Sequence, residues 1–187
     1  MKAITIVKPG LVEIREIEKP TPGPGEALLK PLFGGICGSD LNSYRGTNAY
    51  MAYPRIPGHE FSCEIVEIGE NDRGFKVGDI VTANPYFNCC KCYSCQRGLV
   101  NACMSNQTMG VQREGGFSEY MVMPISRLIS GKGLDAKTLE TRSSWEVLEV
   151  FSPNSTPTPP QGPRGCTARG RSGRRAQPGL HACLWPA

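Results

Sequence analysis

Four cysteines, Cys89, Cys92, Cys95 and Cys103, are separated by two, two and seven residues. Thiolates at such short intervals can converge on one ion from a single looped segment. A soft, filled-shell Zn2+ takes four of them at about 2.3 Å each. Residues 84–103 are therefore read as a zinc lobe. A four-cysteine iron–sulfur cluster and a pair of disulfides are the competing uses of the same thiols. Residues 1–7 are too short for a signal peptide and are broken off by Pro9 and Gly10. A reducing cytoplasm is the expected setting, and there thiols bind metal rather than oxidise. Cys90 is a fifth thiol beside Cys89, and neighbouring side chains rarely reach one small ion, so it is expected to be a bystander. Cys63 lies in an apolar run and reads as a small core residue.

A second constellation lies upstream. Cys37 stands in Gly35-Ile36-Cys37-Gly38-Ser39-Asp40, and Gly58-His59-Glu60 follows about twenty residues later. One thiolate, one imidazole and one carboxylate form the mixed donor set of a catalytic zinc whose remaining position stays open to water or substrate. The adjoining glycines allow tight turns that bring the side chains to one point. Asp40 is expected to accept a hydrogen bond from the far nitrogen of the His59 ring and so fix its tautomer. Ser39 offers a hydroxyl that could pass a proton. Taken singly, the same residues read as a core cysteine, a structural histidine and a solvated strand end.

Short β-rich stretches must position these groups. Residues 1–7, 12–17, 27–32, 60–68, 79–83 and 117–122 carry alternating or continuous apolar residues between Gly and Pro turns. Helical periodicity is scarce, with about one turn expected after Asp40. The fold expected is mainly β, a small and partly open barrel carrying the zinc lobe. No apolar run reaches membrane-spanning length, so no membrane partner is expected.

Charge divides the chain. Of 21 Lys+Arg and 17 Asp+Glu, six arginines and two glutamates lie beyond Glu140, so the part up to Glu140 is balanced and the net charge of +4 belongs to the remainder. Residues 141–187 hold no lysine, and they place seven prolines and five glycines among Ser, Thr and Arg. That composition cannot build a core and predicts a disordered basic tail, apart from a short apolar piece at residues 145–151. The switch from lysine to arginine and proline suggests a different reading frame or a spliced-on segment. Two domains are thus expected, 1–140 and the tail 141–187.

The runs GGICGSDL (residues 34–41), YPRIPGHEFSCEIVEIGE (53–70), FKVGDIVTANPYFNCCKCYSCQRGLVNAC (75–103) and GGFSEYMVMP (115–124) together resemble the N-terminal half of the zinc-dependent medium-chain alcohol and polyol dehydrogenases. The resemblance implies a GroES-like barrel bearing a catalytic zinc, followed in complete members by a Rossmann domain for NAD or NADP. By position, Cys37 and His59 are implied zinc ligands and Glu60 a nearby or exchanging one. Ser39 is the implied start of a proton relay and Asp40 the residue that orients His59. The lobe of Cys89, Cys92, Cys95 and Cys103 is implied to be structural. The sequence also departs from the family. Relatives supply a further ligand just after the position of Glu140, in the nearest ones a Glu followed by Pro, and Glu140, Glu146 and Glu149 do not stand in that context. Asn42 replaces a histidine of many relatives. Gly165, Gly170 and Gly173 lie in an Arg- and Pro-rich stretch and read as coil, so no dinucleotide-binding turn is assigned.

The expected function is the catalytic domain of an oxidoreductase acting on secondary alcohols of polyols, sugars or sugar acids, with little or no turnover by this chain alone. The structural zinc is expected to be filled and the catalytic site incomplete, with NAD or NADP and a small alcohol or sugar-type substrate belonging to an intact parent. The alternative is a non-catalytic zinc-binding β-barrel, an interaction module that pairs with a full-length homologue or with itself as a homo-oligomer. A nucleic-acid role for the arginine-rich tail is disfavoured, because Trp185 is its one aromatic stacking platform beyond residue 151.

Overall fold

The structure, a computed structural model, describes residues 1–141. The expectations for the tail, including residues 145–151, lie outside the described residues. Within them the chain forms two units, one of residues 1–87 with 106–141 and one of residues 88–105. In chain order the elements are β1 (Lys2–Lys8), β2 (Leu11–Glu16), β3 (Glu26–Gly35), α1 (Gly38–Arg45), β4 (Glu60–Ile68), β5 (Ile80–Ala83), β6 (Tyr86–Phe87), α2 (Tyr93–Gln96), β7 (Gln107–Thr108), β8 (Met121–Pro124), β9 (Leu128–Ser130) and α3 (Ala136–Thr141).

The larger unit is built on a five-stranded antiparallel sheet in the order β8-β3-β4-β5-β9. Its centre is β4, where Phe61, Cys63 and Ile65 alternate onto one face and are fully buried. They pack with Leu29 of β3, Val81 of β5, Met121 and Met123 of β8, and Leu128 of β9. Burial pushes the Cys63 thiol well above its ordinary pKa, so this sulfur acts as a small apolar filler. The β3–β4 register slips between Leu28 and Leu29 and again between Pro31 and Phe33. Pro31 has no N–H to give the ladder, and such slips bend and twist a strand, which curls the sheet into the expected partly open barrel.

β1 and β2 form a separate hairpin that pairs Ile4 with Ile14 and Ile6 with Val12. The stretch expected as a strand at 117–122 begins its ladder only at Met121. Phe117 and Glu119 bond instead to β1, with Ile4 N–H donating to the Phe117 carbonyl at 2.8 Å and Glu119 N–H to that of Lys2 at 3.0 Å. α1 runs longer than the single turn expected, because Gly46 closes it in the left-handed conformation at φ 78°.

Short strands β6, β7 and β9 and helix α3 were not evident in the sequence pattern. α3 is started by Asp135, whose carboxylate accepts the Thr138 amide at 3.0 Å and the Thr138 hydroxyl at 2.6 Å. These bonds hold the Asp135 carboxyl below its usual range. Leu139 is fully buried and anchors the helix, which packs against β3 and β4. No described helix is long and apolar enough to cross a membrane.

Phe61 is the largest fully buried side chain of the described residues. Phe61→Ala is expected to lower stability by about 3–5 kcal/mol through lost burial and the cavity left behind. Urea unfolding checks this, and a loss below about 1 kcal/mol would place the core elsewhere.

Candidate functional site

β3 ends at Gly35, and the chain turns at Cys37 into α1. Asp40, in the first turn of α1, is buried, and its carboxylate faces back toward this turn. One oxygen, Oδ2, accepts the Cys37 amide at 3.0 Å, and Oδ1 accepts the Gly58 amide at 3.2 Å. A single carboxylate therefore ties together two backbone turns that are 21 positions apart in the chain. Gly58 sits at φ 95°, and a Cβ there would lie 2.5 Å from the Phe117 ring, so only glycine fits this turn. The turn delivers His59 and then Glu60, the first residue of β4, which pairs with Gly35.

The outcome is convergence. One donor atom from each of Cys37, His59 and Glu60 lies within 4.8 Å of the others. Ser39 Oγ is 3.2 Å from His59 Nε2. His59 Nδ1 is buried with no hydrogen-bond partner among the described residues. Asp40 Oδ1 is 3.7 Å from it, beyond hydrogen-bond range. Asp40 thus reaches His59 mainly through the backbone of Gly58 rather than through the direct bond expected from the sequence. A soft thiolate, an imidazole with an unmet nitrogen and a carboxylate are a donor set that suits zinc, so the residues present fit the metal.

The sequence pattern gave no reason to select Glu140, yet the fold brings it to this place. A Cβ on Gly35 would overlap Oε1 of Glu140 and stand 3.2 Å from Oε2 of Glu60. The signals that could have found it are the Asp135 cap and the apolar Leu139, which together define a helix. An open apolar cleft of about 550 Å³ lies nearby in sequence, lined by Ile4, Ile14, Phe33, Ile36 and Phe117 among others, but none of the three converging donors lines it.

In the smaller unit the sulfurs of Cys89, Cys92, Cys95 and Cys103 all lie within 4.8 Å of one another, with Cys89 and Cys103 at 3.5 Å. A tetrahedron with metal–sulfur bonds of about 2.3 Å has sulfur–sulfur edges of about 3.8 Å, so this set also fits zinc. Backbone amides aim at the sulfurs. The amides of Cys95 and Met104 bring the Cys92 thiol down to about 6, and the Cys89 amide, 3.2 Å from Cys103 Sγ, lowers that thiol too. Burial, with the neighbouring Cys92 sulfur, raises Cys95 to about 12. Cys90 takes a left-handed conformation at φ 56°. Its sulfur accepts a bond from Asn88 Nδ2 at 3.2 Å and stays outside the four-sulfur set.

Two outcomes are expected. Asp40→Ala strands two buried amides and is expected to cost about 3 kcal/mol in thermal or urea unfolding, whereas a loss under about 1 kcal/mol would mean that the turns hold themselves. Zinc affinity of the lobe should fall at least tenfold per pH unit as pH drops, because the proton on Cys95 must be displaced at any neutral pH. Below about 6 the fall should steepen as Cys92 also takes up a proton. A competition titration with a chromophoric chelator at several pH values reads both slopes, and a flat profile would contradict the thiolate set.

Comparison with known proteins agrees with this architecture. The family described as the alcohol dehydrogenase GroES-like domain matches residues 23–132. The chain is 45% identical over 124 residues to the starvation-sensing protein RspB of Escherichia coli K12, covering 66% of this chain and 37% of that protein. It is 36% identical over 135 residues to L-galactonate-5-dehydrogenase of the same organism, covering 72% of this chain and 40% of the relative. A crystal structure of the alcohol dehydrogenase RspB from Escherichia coli CFT073, complexed with NADH, superposes with a TM-score of 0.68 at 39% identity, over 75% of this chain and 41% of that one. The chain spans about two fifths of the length of these relatives. With a curled antiparallel barrel, a four-sulfur lobe and a match over residues 23–132, the chain belongs to the alcohol dehydrogenase GroES-like domain family.

Proposed function

We propose that residues 1–141 are the metal-bearing part of a zinc-dependent oxidoreductase that takes a hydride from a secondary alcohol of a polyol, sugar or sugar acid and gives it to NAD or NADP. The observation that carries this reading is the convergence of Cys37, His59 and Glu60 within 4.8 Å in a chain of this family. The similarity to L-galactonate-5-dehydrogenase supports the sugar-acid end of the range, and the NADH held by the RspB structure supports a nicotinamide cofactor for the whole protein.

Each group has a role its position supports. Cys37, His59 and Glu60 would hold zinc, and zinc there supplies Lewis-acid activation of an alcohol oxygen. Ser39, 3.2 Å from His59 Nε2, has the hydroxyl placed to take a proton from the substrate side and pass it on. Asp40 keeps the Cys37 and His59 turns in register through its two amide bonds. Cys89, Cys92, Cys95 and Cys103 would hold a second zinc that shapes their loop and does no chemistry, because all four positions are filled by sulfur. The lobe, complete within one short segment, retains its ion the more strongly of the two.

Metal analysis after mild chelation is expected to return about one zinc per chain, held by the lobe. With that zinc in place, cobalt(II) added to the Cys37 centre should give an absorption band that shifts on addition of sorbitol. Cys37→Ser should remove the cobalt band and leave the lobe zinc. A wild-type chain that takes no second metal, or a band indifferent to polyols, would overturn the alcohol-binding reading.

A further inference from the structure

The open apolar cleft of about 550 Å³ has no cover among the described residues. Ile4 of β1, Ile14 of β2, Phe33 of β3, Ile36 and Phe117 line it. Ile14 and Ile36 are each 72% exposed, Phe33 45% and Ile4 42%. Grouped apolar surface of this kind is seldom left in water and marks a place where something docks. One wall is also an open strand edge. β3 pairs with β8 from Glu26 to Leu29, so residues 30–35 have no described strand on that side, although β4 covers their other edge. Such an edge takes up an extended segment through main-chain hydrogen bonds, with side-chain pockets giving selectivity.

The occupant follows from where the described residues end. α3 runs to Thr141, packs on β3 and sets Glu140 against Gly35, whose neighbours Gly34 and Ile36 both line the cleft. A Cβ on Gly34 would meet the Phe117 ring at 2.9 Å, whereas one on Gly35 would meet Glu140 and Glu60, so α3 ends across β3 from Phe117. From Thr141 to Trp145 an extended chain reaches about 13 Å. That exceeds the spacing of paired strands, about 4.8 Å, and suffices to pass round the open edge. The residues that arrive there are apolar. Trp145, Val147, Leu148, Val150 and Phe151 fall within seven positions, while residues 152–187 hold just Leu180, Leu184 and Trp185 as large apolar side chains. Trp, Val and Phe favour extended pairing. Glu146 and Glu149 are the tail's acids, and Lys2 at the cleft and exposed Lys30 on β3 complement them; Glu119 of the same wall is held on the Lys2 amide at 2.7 Å. We infer that residues 145–151 lie as an edge strand along residues 30–35 of β3 and fill this cleft with their apolar side chains. The tail thereby covers the apolar wall that ends at the Cys37 turn.

The test uses the full chain carrying Trp185→Phe, in which Trp145 is the sole tryptophan. Its emission is expected to be blue-shifted, shielded from acrylamide and unchanged on dilution, and Phe33→Asp or Ile14→Asp should move it to the red of a water-exposed indole. Hydrogen exchange read by mass spectrometry on the same chain should show residues 32–35 and 146–151 protected together. Val147→Pro should speed exchange at both by about tenfold while residues 61–65 of β4 stay protected. Water-exposed Trp145 emission in a chain whose β4 amides are protected would overturn the proposal, as would blue emission indifferent to both Phe33→Asp and Ile14→Asp. Emission that reddens on dilution would put a second copy of the chain in the cleft and overturn it too.

Discussion

The convergence of Cys37, His59 and Glu60 depends on the Asp40 carboxylate. The Cys37 turn and the Gly58 turn belong to different parts of the sequence, and neither can place a metal donor alone. Asp40 accepts one amide from each, at 3.0 and 3.2 Å, from a position shielded from water. Charge-assisted bonds to backbone amides are stronger than neutral ones, and losing their acceptor leaves buried donors unmet. The carboxylate that positions Cys37 therefore also positions His59, and the β3–β4 pairing of Gly35 with Glu60 adds the third donor without further adjustment.

The two candidate donor sets are built on different physical logics. The lobe draws its four sulfurs from residues 89–103, so short loops and backbone amides aimed at sulfur suffice to gather them. The Cys37 set needs a barrel. It requires the curl that Pro31 introduces into β3, the left-handed Gly58 and the bare Cα of Gly35. A segment-local site can keep its metal while a site assembled by the fold loses it whenever one supporting element shifts. That difference is why the lobe is assigned the tighter ion and the Cys37 centre the exchangeable one.

Much of this was legible in the sequence because the information is local. Cysteine spacing marks the lobe, the alternation in residues 60–68 gives β4 with the same bounds that the structure shows, and the glycines around Cys37 and His59 announce turns. Other features escaped because they are set by contacts between distant residues. The strand expected at 117–122 starts late because Phe117 and Glu119 are claimed by β1. Asp40 was expected to bond the His59 ring, but the Gly58 amide competes for the same oxygen and sits nearer. Glu140 has no motif around it, and only the packing of α3 on β3 and β4 reveals where its carboxylate goes.

The most direct measurement is anomalous diffraction at the zinc edge from crystals of the zinc-loaded chain. It should show one strong peak among the sulfurs of Cys89, Cys92, Cys95 and Cys103 and a second between Cys37, His59 and Glu60, with the Asp40 carboxylate still on the amides of Cys37 and Gly58. A map with density in the lobe alone, or with Asp40 withdrawn from those amides around a bound ion, would contradict the account.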